Sequence, residues 1–71
     1  MAIKESQLEP GQQFRSQDGY VWHIRGMVRI GGNLPHVSLI SAKDPTVTKL
    51  ISVDALLDQR LYRFVDAKLR A

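Results

Sequence analysis

The stretch at residues 20–30, YVWHIRGMVRI, constrains this chain more than any other. Its even positions are Tyr20, Trp22, Ile24, Gly26, Val28 and Ile30, almost all apolar. Its odd positions are Val21, His23, Arg25, Met27 and Arg29, mostly basic or polar. Alternation at period two predicts a half-buried β-strand, because successive side chains of a strand point to opposite faces. The β-branched and aromatic content favours a strand over a helix as well. Gly26 is expected to mark a bulge or a sharp bend, by which one long strand serves both sheets of a small barrel. The alternative is a weak point tolerated for packing.

The flanking segments read as partners of this strand. Residues 1–9 form a lead-in in which Ser6 and Glu9 have the spacing of a capping box, and Pro10-Gly11 leaves room for one helical turn at most. Residues 12–16 predict a first strand with Phe14 inward, and Asp18-Gly19 a tight turn. The loop GGNLP, 31–35, ends at Pro35. A third strand is expected over 36–42, with Val37 and Leu39 on one face. The sequence KDPT, 43–46, suits a type I turn, and a fourth strand over 47–53 follows. Asp54 has the character of an N-cap for a helical turn over 55–57, and 60–65 predicts a short last strand. The organisation expected is therefore a lead-in, 1–10, one small β-barrel domain, 11–65, and a charged C-terminal tail, 66–71. With 71 residues in total, a single domain of this size buries only about 60% of its unfolded surface.

Five short strands, the DG turn, and the helical turn in ISVDALLD placed before LYRFV give an all-β layout. It resembles the small SH3-like barrels, which include the ribosomal KOW modules, over residues 11–65. The resemblance implies a five-stranded barrel with one short helical turn before the last strand. It carries over no activity, because the acidic and aromatic ALYDY-type motif and the paired tryptophans of proline-binding members are missing. The chain is also similar to small bacterial proteins of this length, a likeness that implies nothing about activity.

Burial fixes register, since a slip of one residue turns a whole strand over. Pairing Ile30 with Val37 and Val28 with Leu39, then Leu39 with Ile51 and Val37 with Val53, gives both hairpins one inner face. That face holds Trp22, Ile24, Val28, Ile30, Val37, Leu39, Val47, Ile51 and Val53. The same pairing sets Met27 opposite Ile40, and Ile40 opposite Leu50, as an apolar row on the outer face with Arg25 and Arg29 beside it. A contiguous exposed row of this kind marks a contact surface more often than scattered apolar residues do. Three readings stand. The termini cover the row through Ile3 and Leu8, or Leu69; a partner or second copy docks there; or the fourth strand lies in the other register with Leu50 inside.

Chemistry is thin. The chain has no cysteine, which rules out a disulfide or thiolate metal site and fits a reducing cytoplasm. No apolar run approaches the length of a membrane span, and the first residues lack the pattern of a signal peptide. His23 and His36 read as polar strand residues about 20 Å apart, too far to share a metal. No G-x-S-x-G, phosphate-binding glycine loop or paired carboxylates occur, so no enzyme, cofactor, metal site or small-molecule substrate is expected. The formal charge is +3 and the pI 9.7, with Lys and Arg spread along the chain. The function expected is a non-catalytic interaction module that binds protein or itself through Met27, Ile40 and Leu50, with Arg25 and Arg29 fixing orientation. Such binding predicts weak salt dependence and sensitivity to Met27→Asp or Ile40→Asp. The alternative is a nucleic-acid (RNA) module using a basic strand face, whose affinity falls steeply with salt.

Overall fold

The computed structural model describes residues 4–65. The tail, Ile3 and Leu69 lie outside the described residues. A short 3₁₀ turn, η1 (Glu5–Gln7), leads into β1 (Gln13–Ser16), β2 (Val21–Ile30), β3 (Leu34–Ser41) and β4 (Thr48–Ser52). The helical turn α1 (Val53–Leu56) then precedes β5 (Tyr62–Val65). All pairings are antiparallel and the strand order is β4-β3-β2-β1-β5. The sheet is open, with β4 and β5 as its two edges. A small five-stranded antiparallel sheet of this kind is compatible with a barrel-like fold.

The local chemistry of each junction accounts for its shape. At Asp18-Gly19 the Ser16 carbonyl accepts from the Gly19 N–H at 2.9 Å, and Gly19 takes φ 92°, a region that side-chain-bearing residues avoid. At Asp44-Pro45 the Val47 N–H closes the turn onto the Asp44 carbonyl at 2.9 Å. Two expected caps differ from those found. Ser52, not Asp54, caps α1, its hydroxyl accepting from the Ala55 N–H at 3.1 Å. Serine one residue before the first helical position meets the second or third N–H of the turn, whereas Asp54 already lies inside it. In the lead-in, Gln7 rather than Glu9 closes the turn, accepting from the Lys4 N–H at 2.9 Å.

The core is small. Phe14, Trp22, Ile24, Val37, Leu39 and Leu56 form one buried cluster, with Leu8, Ile51 and Tyr62 packed against it and Val53 also buried. Leu8 thus ties the lead-in to the domain. Phe14 meets Phe64 edge to face, ring centroids 5.4 Å apart, which fastens β5 to β1. Trp22 is buried as its place in the alternation requires, and its indole N–H finds no acceptor among the described residues.

The register of the β2–β3 hairpin departs from expectation. The pairs are Ile24 with Leu39, Gly26 with Ser38, Met27 with Val37 and Ile30 with Leu34, and the ladder shifts between Ile24 and Gly26. Two features cause this. Arg25 is the extra residue of a bulge, and Gly31, Gly32 and Asn33 turn the chain in three residues, so β3 begins at Leu34. Pro35 fits inside β3 because β4 reaches only as far as His36. The net displacement is odd, so beyond the bulge the faces exchange. Met27 moves to the side of Val37, and Val28 and Ile30 leave the expected core and become exposed. Val47 is exposed too. In the β3–β4 hairpin, Val37 lies opposite Ile51 and Leu39 opposite Lys49, a slip of two that preserves the faces. Ile51 therefore points inward and Leu50 outward.

The bend does not depend on glycine. Gly26 has no positive φ, and a Cβ built on it would meet nothing within 4 Å. Gly26→Ala is therefore expected to raise stability by about 0.4–1 kcal/mol through the unfolded chain's lost freedom, measured as a higher urea midpoint. A lower midpoint would mean that the bulge needs a bare backbone.

Candidate functional site

The sheet is widest near Trp22 and narrows to two strands at one end. β1 pairs with β2 only over Val21–His23, and β4 pairs with β3 only over His36–Ile40. From Gly26 onward β2 has β3 as its one partner among the described residues, and past His36 β2 and β3 continue alone, so the end of this hairpin forms a ribbon. With β1 absent from this part of β2, the hairpin exposes apolar residues on both faces: Met27 (42%), Val28 (41%), Ile30 (39%) and Leu34 (61%). Val28 and Ile30 alternate on one face, with Leu34 opposite Ile30 and His36 opposite Val28. Arg29 folds back along the ribbon, its guanidinium donating to the Asn33 carbonyl at 3.3 Å.

The five residues anticipated for contact do not come together as a row. Met27 lies opposite Val37 rather than Ile40. Ile40 is half-buried between His23 and Thr48, and Leu50 is exposed opposite Ser38. Arg25 is exposed at the bulge and Arg29 near the ribbon tip. The bulge is the cause, since it carries Met27 to the other face. The apolar cluster that does form, Val28, Ile30 and Leu34, falls where the sequence predicts core and loop. The signal for it was the pair of glycines after Ile30, which permits a shorter turn than the loop expected.

A second feature lies on the core side of the sheet. Lys49 stands on edge strand β4, and its ammonium lies 4.1 Å from the Trp22 ring centroid and 5.0 Å from that of Tyr62. The lysine stem covers the indole while the charge sits between two aromatic faces. Lys43 stands over Tyr20 at 5.8 Å.

The carboxylates of three turns are occupied locally. The Ser16 hydroxyl donates to Asp18 and holds its carboxylate below the usual range, helped by the Tyr20 N–H. Thr46 does the same to Asp44 through its hydroxyl and its backbone N–H. The Arg60 guanidinium holds Asp58 down at about 2, donating at 2.9 Å, with the Arg60 N–H adding to the effect. Carboxylates kept ionised by their own turns are poorly suited to carry protons near neutrality. His23 lies opposite Ile40 and His36 opposite Val28, on one face but about 13 Å apart at the strand rise. That is nearer than expected from sequence and still too far for a shared ion. Among the described residues no group of three or more His, Cys, Asp or Glu side chains gathers, and no helix is long and apolar enough to cross a membrane.

Fold and surface together define an all-β, five-stranded small domain with exposed apolar residues at the end of its β2–β3 hairpin. Comparison with protein-family models, curated proteins and solved structures finds no match to this chain.

Proposed function

We propose that the protein is a non-catalytic interaction module that associates with a second copy of itself through the β2–β3 ribbon. Exposure of Met27, Val28, Ile30 and Leu34 on the end of the β2–β3 hairpin, whose tip is two-stranded, carries the reading. A lone two-stranded ribbon is marginal in water, and large apolar side chains on both its faces are ordinarily explained by a partner. A second copy fits because the same patch meets itself across a two-fold axis, and because a small core benefits from shared burial. Met27 supplies apolar contact, Arg25 and Arg29 border the patch, and Ile40 and Leu50 lie outside it. The strand order and the helical turn before the last strand support an SH3-like small barrel as its architecture. Fold alone would not assign a role.

Sedimentation equilibrium tests the reading. The wild-type protein is expected to dimerise with little dependence on salt, and Ile30→Asp combined with Leu34→Asp to be monomeric with an unchanged circular dichroism spectrum. The two positions are exposed but face each other, so the paired aspartates are expected to cost the hairpin tip about 1 kcal/mol, a local loss that leaves the fold intact. A wild-type protein monomeric up to millimolar concentration, or a variant that dimerises equally well, would overturn it.

A further inference from the structure

Strand β5 is a border of the sheet, and hydrogen-bond parity decides which of its main-chain groups look outward. The Gln17 N–H donates to the Leu61 carbonyl at 2.8 Å, and the Ser16 N–H to the Tyr20 carbonyl at 2.8 Å. Bonded and non-bonded pairs alternate along an antiparallel ladder, so odd-numbered residues of β1 bond to β5 and even-numbered ones to β2. On β5, Arg63 and Val65 accordingly turn their main-chain groups toward β1, while Tyr62 and Phe64 turn theirs away from the sheet. The Tyr62 N–H is taken by the Asp58 carbonyl at 3.0 Å. The Tyr62 carbonyl and both main-chain groups of Phe64 have no partner among the described residues.

The two faces of this border differ in chemistry. Phe64 stands opposite Phe14, so its ring lies on the core side, yet 36% of the residue is exposed against 1% of Phe14. Beside it a cleft of about 240 Å³ runs between α1 and β5, lined by Phe14, Leu56, Leu57, Gln59, Tyr62 and Phe64. Arg63 borders the cleft too, although its side chain belongs to the other face, so the cleft opens along the border of the strand. On the outer face Arg63 lies opposite Arg15, both exposed, and none of the strands carries an Asp or Glu. Like charges directly opposite each other weaken a strand pair. Asp58, before the strand begins, is already held by Arg60 at 2.9 Å.

Unspent donors and acceptors on an open border, with an apolar cleft on one side and uncompensated cations on the other, describe a guest in extended conformation. Main-chain bonds hold such a guest, and its alternate side chains meet two different surfaces. We infer that β5 takes up an extended segment of a partner protein as a sixth, antiparallel strand, one in which apolar and acidic residues alternate. A guest residue opposite Phe64 exchanges two main-chain hydrogen bonds with it and lays its side chain over the cleft. The next guest residue, opposite Arg63, points to the outer face, where a carboxylate meets the guanidinium. A second copy of β5 is the poorer guest, because Tyr62–Val65 has no acid to offer Arg63. The site shares no residue with the ribbon, so it stands whether or not the protein dimerises.

NMR titration of the isotope-labelled full chain with a capped octapeptide alternating Val and Glu tests the inference. Saturable shifts are expected over β5, Leu57 and Gln59, with the Phe64 amide exchanging with solvent at least about tenfold more slowly at saturation. The Val amides of the peptide face β5 and the Glu amides face away. A peptide N-methylated at Val should therefore bind about tenfold more weakly or worse, and one N-methylated at Glu should bind as the parent does. Arg63→Glu sets an acid opposite Arg15 and so keeps the fold. It should weaken the Val–Glu peptide about fivefold and favour a Val–Lys peptide by a similar factor. Ile30→Asp with Leu34→Asp should leave peptide binding unchanged, which separates this result from the fate of the dimer. No binding at millimolar peptide, a Phe64 amide that stays unprotected, shifts centred on β4 or the ribbon, or equal affinity of the wild type for the two peptides would overturn the inference. So would a Phe64 amide that becomes protected in the free chain as protein concentration rises, since the guest would then be a second copy.

Discussion

Phe14→Ala is expected to lower stability by about 3–5 kcal/mol and the thermal midpoint by roughly 15–30 °C. Phe14 is fully buried on β1, the strand that joins β2 to β5. Its ring is enclosed by the core cluster and carries the edge-to-face contact with Phe64. A domain of this length holds roughly 4–10 kcal/mol in all, so the variant should sit near its unfolding midpoint at body temperature. Hydrogen exchange should show β5 losing protection first, because its pairing is to β1 alone among the described residues. If the thermal midpoint falls by only a few degrees, β1 is not the centre of the cooperative unit.

Leu56→Ala is the second large effect, expected at about 2–5 kcal/mol. The helical turn α1 has four residues, too few to be stable by itself. Leu56, with none of its surface exposed, and Val53 hold the turn against the sheet, and the Ser52 cap sets where it begins. Truncating Leu56 leaves a void between α1 and the sheet. A urea titration should show a reduced midpoint at an unchanged slope. A change under about 1 kcal/mol would mean that α1 rests on the sheet without contributing to it.

The fold was legible where the pattern was redundant. Trp22 and Ile24 repeat at period two, Asp18-Gly19 and Asp44-Pro45 are turns by chemistry, and ISVDALLD interrupts the strands with a helical turn. Val37, Leu39 and Ile51 fell on the inner face because a slip of two does not alter which side a residue occupies. The site was less legible because one bulged residue, Arg25, shifts the register without disturbing the hydrophobic pattern. From Met27 onward the alternation still looks like a core, yet β1 no longer flanks it. Whether an apolar residue is covered depends on how far its neighbours extend, and strand ends are weakly marked in sequence. The opposition of Arg15 and Arg63 was hidden for a different reason: β1 and β5 are far apart in the chain, and no local signal pairs them.

Lys49 gives the domain a way to limit its own aggregation. It occupies the border strand β4 with its ammonium turned inward over Trp22 and Tyr62. A guest strand zipping onto that border would have to trap the charge away from water, so lateral growth of the sheet is discouraged on that side. The charge thus guards one of the two open borders of the sheet, while β5 forms the other.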